Sequence, residues 1–469
     1  MTQLNPNWLV ANVPDGFTVA AVGDIIATQP IFETLQRSSP KLLELLAAAD
    51  VVVGNFEGTV IDPRLFTGYP EALSGFGWLN SPPAVPGDLA RMGFNMLSRA
   101  NNHATDWGVL GMFQTNAALE NVGITHAGTG DSLSAARAPA FHFGKKGRVA
   151  LLSCATTYEG NSPAADGLGS VRPRPGLSHL RTPSCVLVSP EQFAVLVQIR
   201  DAQPAGSTHP ALLAYDNACH AVTLMSPFGQ RYSADPTLSA DAIKFRFDPH
   251  PKDQADIIHN VRQGKQSADF AIVAQHTHEP GNWSVTSPNY MSSLAAQMID
   301  NGADMFCGHG PHQLRGIEIY KGKPIFHSLG NFIFMDNTQQ IEVLEEWTRD
   351  VWHLIPGGPG GDPHKMTAAE FAEWRRVAGV FAESAWFESV LAVSTFKHGR
   401  VSSIDLHPLE LHWAGRDSMR GIPRLADQQT GKGILERLAS LSAALGTQID
   451  IVDGVGRIHV LPPSKETSQ

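Results

Sequence analysis

The stretch Ala271-Ile-Val-Ala-Gln-His276-Thr-His278-Glu279 decides the reading of the fold. A short run of β-branched and small apolar residues reads as a strand buried on both faces. It runs straight into two imidazoles and a carboxylate. The same grammar recurs along the chain. Val19-Ala-Ala-Val-Gly leads to Asp24, and Val51-Val-Val-Gly-Asn-Phe leads to Glu57. Asn95-Met-Leu-Ser-Arg-Ala-Asn leads to Asn102-His103, and Met305-Phe-Cys-Gly leads to His309. In open α/β sheets ligands bind at the carboxyl ends of the strands. Five strands with polar ends therefore predict one site built from separate parts of the chain on a rigid scaffold.

Working outward, apolar runs alternate with helical patterns, which predicts a layered α/β protein. Expected strands are 17–22, 51–53, 95–98, 149–153, 270–274, 305–307 and 325–328, with a hairpin formed by 389–396 and 401–406. Expected helices cover 40–49, 110–122 and 287–301, the last two stopped by Gly123 and Gly302. Residues 155–251, rich in Pro, Gly and Ser, read as one insertion. A second, near 341–385, contains the run PGGPGGDP and reads as a loop. The tail from 416 to 469 carries a helix pattern near 434–445 and reads as a small appendage to a main domain at 14–415.

The bulk numbers agree. A chain of 469 residues that is 42% hydrophobic can bury a large core. A net charge of −10, with no basic run longer than a pair such as Arg375-Arg376, argues against nucleic acid as a partner. Cys154, Cys185, Cys219 and Cys307 lie far apart and form no zinc knuckle or disulfide framework. No apolar run approaches the ~20 residues that span a bilayer, and the N-terminus lacks a secretory pattern, so the cytoplasm is the default location.

Each polar residue alone has an ordinary explanation. Asp24 could cap a helix, Asn101 and Asn102 could form a turn, and His103 could be a satisfied core histidine. His126, His142 and His259 are read as structural. The joint pattern resists such explanations, above all His-x-His-Glu at 276–279 and His-x-x-His at 309–312. Imidazole, carboxylate and an amide oxygen suit Zn, Mn or Fe, with Ca possible. The expected metal ligands are Asp24, Glu57, Asn102, His276, His309 and His312.

Five blocks carry a family resemblance. These are VGD at 22–24, GNFEGTV at 54–60, ANNHATDWGVLG at 100–111, AQHTHEP at 274–280, and GADMFCGHGPHQLRGIEIYKGKPIFHSLGNFIF at 302–334. Together they closely resemble the CapA family, named for poly-γ-glutamate capsule synthesis, a branch of the calcineurin-like metallophosphoesterases. The resemblance implies an α/β fold, a four-layer αββα sandwich of metallophosphoesterase type with loop insertions. It implies one or two divalent metal ions, with Glu57 as a bridging carboxylate, and two bridged cations sit about 3.5–4 Å apart. It implies His103 as proton donor, oriented by Asp106. Two departures matter. Ile25-Ile26 follow Asp24 where metallophosphoesterases carry Asp-x-His, so one metal position is expected to be poor in imidazole and weaker than the other. His276-Thr277-His278-Glu279 replaces the common His-Trp-Gly, which places His278 and Glu279 among the candidate catalytic groups.

Reaction class stays open at this level, because one fold hosts many chemistries. The leading expectation is hydrolysis of an amide or ester, including a phosphoester, in a peptide-like or γ-glutamyl polymer substrate by metal-activated water. Epimerisation of a peptide residue, with His103, His278 or Glu279 trading an α-proton, is one rival. A metal-stabilised, non-catalytic subunit of a polymer synthase is another. The sequence does not give the oligomeric state.

Overall fold

The computed structural model describes residues 9–460 apart from 72–73, 75–77, 225–228, 336–364, 368–369, 371–372, 374–381 and 415–417. It is a mixed α/β fold with several sheets. Strand Phe17–Ile26 lies inside a ten-stranded sheet. On one side it pairs in parallel with Val51–Phe56, followed by Met96–Ser98 and Thr125–Ala127. On the other it pairs antiparallel with Glu388–Lys397, which forms the expected hairpin with Arg400–Glu410. A six-stranded sheet has Phe270–His276 in parallel between Gly147–Ala155 and Met305–His309.

Period-two alternation explains why these strands are apolar throughout. Val19, Ala21, Val51, Val53 and Met96 share one core with Val149, Leu151, Phe270, Ile272 and Met305 of the six-stranded sheet. The neighbouring positions Ala20, Val22, Val52 and Leu97 face the other way. They pack with Leu35, Leu42, Leu46, Leu89 and Leu119 from helices Phe32–Ser38, Pro40–Ala48, Val85–Arg91 and Gly108–Asn121. On the far face of the six-stranded sheet, Leu152, Val273, Phe306 and Ile325 meet Ile257, Val261, Leu294 and Met298 of helices Pro251–Gln266 and Met291–Asp300. Phe17 and Phe270, one from each sheet, stack with ring centroids 5.3 Å apart.

Strands extend further toward the polar ends than the apolar runs alone predict. Phe17–Ile26 and Phe270–His276 carry Asp24 and His276 within the ladder itself. One close approach holds the edge together. A Cβ on Gly23 would sit 1.7 Å from the carbonyl oxygen of Gly330, which accepts from the Asp24 amide at 3.0 Å. No side chain fits at position 23 without moving the loop that leads into strand Asn331–Phe334.

The first insertion is more ordered than its composition implies. Ser184–Val188, Ala221–Thr223, Arg231–Ala234 and Lys244–Phe247 form their own four-stranded sheet, with helices Pro190–Asp201 and Pro210–Ala218. Its first and last strands pair antiparallel, Ser184 opposite Phe247. The pairing continues inward through Asp248 N to Pro183 O and His250 N to Arg181 O. The second expected insertion lies largely outside the described residues. After residue 417, helix Gln428–Ala443 places Ile434, Leu435 and Leu438 in the core between the sheets, and strand Val455–His459 pairs with Arg400–Glu410. All four cysteines are free, and only Cys219 is exposed. Among the described residues no helix is long and apolar enough to cross a membrane.

Candidate metal centre

The parallel registers bring the polar strand ends side by side. Asp24 lies opposite Asn55 on one neighbour and Asn331 on the other, and Asn55 lies opposite Ser98. In the second sheet His276 lies opposite His309. Asp24, Glu57, Asn102, Asp106, His276, His309 and His312 are all buried, as is His103.

Two sets of ligand atoms converge, and Glu57 belongs to both. Asp24, Glu57 and His276 form one group and Glu57, His278 and His312 the other, each with its ligand atoms within 4.8 Å of one another. Glu57, the bridge that the family resemblance implies, is the carboxylate common to both groups. The division of imidazoles differs from the expectation. His278, assigned on sequence to proton transfer, stands with Glu57 and His312, so neither group lacks an imidazole despite Ile26. Nε2 of His276 and Nε2 of His278 face each other at 3.0 Å.

Hydrogen bonds set the orientation of two of the imidazoles. His309 Nε2 lies 3.3 Å from Val22 O, a carbonyl that only accepts, which leaves Nδ1 as a bare acceptor with no protein partner. His312 Nδ1 lies 2.9 Å from Asn331 Oδ1, leaving Nε2 on the side of Glu57 Oε1 at 3.8 Å. Fixing the tautomer through the second nitrogen is the usual arrangement behind a metal-binding histidine. His312 holds this position with φ +57°, uncommon for a residue with a side chain.

The orphaned atoms point the same way. Both oxygens of Glu57 are buried without a hydrogen-bond partner, and so is Asn102 Oδ1. An unpaired buried carboxylate costs several kcal/mol, which a cation would offset. Burial, then Asp24, then Asp106 push the Glu57 carboxyl well above its ordinary range. Burial, then the neighbouring imidazoles, push His276 and His278 well below theirs, and burial lowers His309. Neutral imidazole is the form that ligates. The residues present fit one or two divalent cations.

His103 stands apart from both groups. Its Nδ1 is 2.7 Å from Asp106 Oδ2, which also accepts from the Leu79 amide at 2.7 Å. Burial raises Asp106 to about 6, with His103 acting to lower it. Glu279, the other expected catalytic carboxylate, is engaged elsewhere. It accepts from Thr182 Oγ1, from Tyr290 OH at 2.7 Å and from Thr277 Oγ1 at 3.4 Å. These hydroxyls fix the loop that carries His278.

Asn55, which is not among the residues expected to hold metal, packs behind two of them. Its Nδ2 donates to Asp24 Oδ1 at 2.8 Å and lies 3.3 Å from His276 Nδ1, while its Oδ1 accepts from Asn101 Nδ2 at 3.1 Å. Its place inside a strand, one residue from a hydrophobic Phe, hid it among β-sheet positions. Glu57→Gln is expected to lower metal occupancy at both positions, since one charge serves both groups. Asn55→Ala is expected to weaken binding by about 10–100-fold, the scale for removing a group behind a ligand. Metal titration of both variants checks the order: a larger loss in Asn55→Ala would mean that Glu57 is not the shared ligand. A separate groove of about 1150 Å³, lined by Asn12, Phe143, Arg148, Lys265 and Asp269, holds none of these residues.

The family model described as bacterial capsule synthesis protein PGA_cap matches residues 18–336. The chain belongs to that family. The matched span contains every residue of the candidate centre. The Sinorhizobium fredii (strain NBRC 101917 / NGR234) protein y4sH is 40% identical over 455 residues, 96% of this chain and 94% of that protein. The PGA biosynthesis protein CapA of Bacillus subtilis (strain 168) is 26% identical over 372 residues, covering 76% and 74% of the two chains. The capsule biosynthesis protein CapA of Bacillus anthracis is 24% identical over 324 residues, covering 68% and 59%.

Proposed function

We propose that this PGA_cap protein is a metal-dependent hydrolase. It cleaves an amide or ester bond, including a phosphoester, in a peptide-like or poly-γ-glutamate-like substrate. The observation that carries the reading is Glu57, buried among Asp24, His276, His278 and His312 with neither oxygen paired. Asp24, Glu57, Asn102, His276, His309 and His312 would hold the cations, joined by His278. When bound, such cations acidify a water and offset the negative charge of a developing oxyanion. His103, locked by Asp106, would deliver a proton to the leaving group. The two sheets with helices on their outer faces we read as the four-layer sandwich of the metallophosphoesterases.

Glu279 supports hydrolysis over epimerisation. A base that trades an α-proton must reach the substrate, and this carboxylate is occupied by Tyr290, Thr182 and Thr277. The capsule and PGA biosynthesis names of the Bacillus relatives support an anionic γ-glutamyl polymer as the substrate class.

One experiment separates the readings. The protein with Mn²⁺ is incubated in D₂O with γ-glutamyl oligomers, α-peptides and phosphoesters. Fragments without deuterium at Cα are expected, and a chelator is expected to abolish them until Mn²⁺ is restored. Deuterium without cleavage would establish epimerisation. Binding of the oligomer with neither outcome would establish a non-catalytic subunit.

A further inference from the structure

Arg99 is wholly buried, yet among the described residues its guanidinium forms no ion pair with a carboxylate. Nη1 donates to Phe56 O at 3.2 Å and to Gly58 O at 2.6 Å, the carbonyls on either side of Glu57. The guanidinium carbon lies 5.4 Å from the centre of the Phe56 ring. Nε and Nη2 have no hydrogen-bond partner. Burying a guanidinium so poorly paired is expensive, so the position calls for a reason beyond packing.

The local backbone supplies one. Glu57 follows the last residue of strand Val51–Phe56, and its amide donates to Ile25 O at 3.1 Å. The chain then turns at Gly58, whose φ of +149° suits glycine. A carboxylate on a strand end followed by a glycine would swing unless its flanking peptides were pinned. Asn101 Nδ2 holds the Phe56 carbonyl at 2.8 Å, but among the described residues only Arg99 spans both sides of the turn.

We infer that Arg99 is a positioning residue for the shared carboxylate, gripping the carbonyls of Phe56 and Gly58 so that the Glu57 side chain is held among the imidazoles, its Oε1 3.8 Å from His276 Nε2 and from His312 Nε2. The inference rests on the metal-site reading above and goes beyond it, because Arg99 ligates nothing. Its charge opposes its role. A cation close to the centre repels bound metal, so an arginine acting through charge alone would weaken metal binding, and its removal would tighten it. An arginine acting through position strengthens binding, and its removal would weaken it. The sign decides.

The test uses the full chain and Mn²⁺ alone, with binding followed by calorimetry and the fold checked by thermal melting without metal. Arg99→Met keeps the stem against Phe56 and removes the donors. Replacing an ill-paired buried charge by an apolar side chain of similar volume is tolerated well, and Arg99→Gln serves if the methionine variant does not fold. Mn²⁺ affinity is expected to fall by about 10–100-fold, with Arg99→Lys recovering most of it. In a Glu57→Gln background the same Arg99 change is expected to cost little more, since both act through one carboxylate. A wild-type chain that binds no Mn²⁺ would sink the metal site itself. A wild-type chain that binds, with an Arg99→Met variant that binds equally or more tightly, would overturn only the role of Arg99. So would losses that simply add across the two positions.

Discussion

His276→Ala and His309→Ala are each expected to strip the chain of most of its divalent metal. His276 lies in the ligand group with Asp24 and Glu57, its Nε2 3.8 Å from Glu57 Oε1. His309 keeps a bare Nδ1 because Val22 O has claimed its other nitrogen. Losing a group behind a ligand costs about 10–100-fold in affinity, and losing the ligand itself should cost more. Metal content after gel filtration in metal-free buffer measures it. Both positions end strands whose backbones pair with each other, and alanine keeps the pairing, so the fold should survive. Unchanged metal content in both variants would remove these imidazoles from the centre.

His103→Ala carries the second large effect, and it falls on rate. The ring is buried against Asp106, which fixes Nδ1 as the donor and turns Nε2 toward other partners. The expected loss is roughly 10²–10⁴-fold in kcat, the scale for one acid–base group, with metal content and melting behaviour near wild type. Asp106→Asn should fall in the same direction, since an amide can present its nitrogen to the imidazole and reverse the tautomer. Full activity in His103→Ala would place the proton donor elsewhere. His278 would then be examined next, although its place beside Glu57 and His312 favours ligation.

Much of this was legible in the sequence because strands buried on both faces write themselves as apolar runs. The interruptions of those runs, Asp24, Glu57, Asn102, His276 and His309, mark one edge of two sheets. The contributions of the loops were harder to read. His278 and Glu279 are adjacent, yet one ring joins Glu57 while the other side chain enters a cage of hydroxyls. Nothing in the order of residues tells the two apart, because Tyr290 and Thr182 reach Glu279 from 11 and 97 positions away. Asn55 and Arg99 were obscure for a related reason. Asn55 sits inside a strand and Arg99 just past the end of one, each beside an apolar neighbour, and each acts through contacts with residues some 30 positions away or more. Within the insertion at 155–251, Pro and Gly punctuate the short strands and helices, and that punctuation drowned the pattern between.

That insertion has a structural consequence of its own. Ser184 faces Phe247 across a ladder that continues through Pro183 with Asp248 and Arg181 with His250. The chain therefore leaves and re-enters the body at adjoining points, like a closed detour. A short turn joining the two sides would span the same gap, and the entropy of closing a loop changes only slowly with its length. Thr182, which holds Glu279, lies just inside the junction and would stay in place. The detour can thus be lengthened, trimmed or exchanged while the strands that carry Asp24, Glu57 and His276 keep their register. The detour and the strands that build the candidate centre are therefore mechanically separable in this chain.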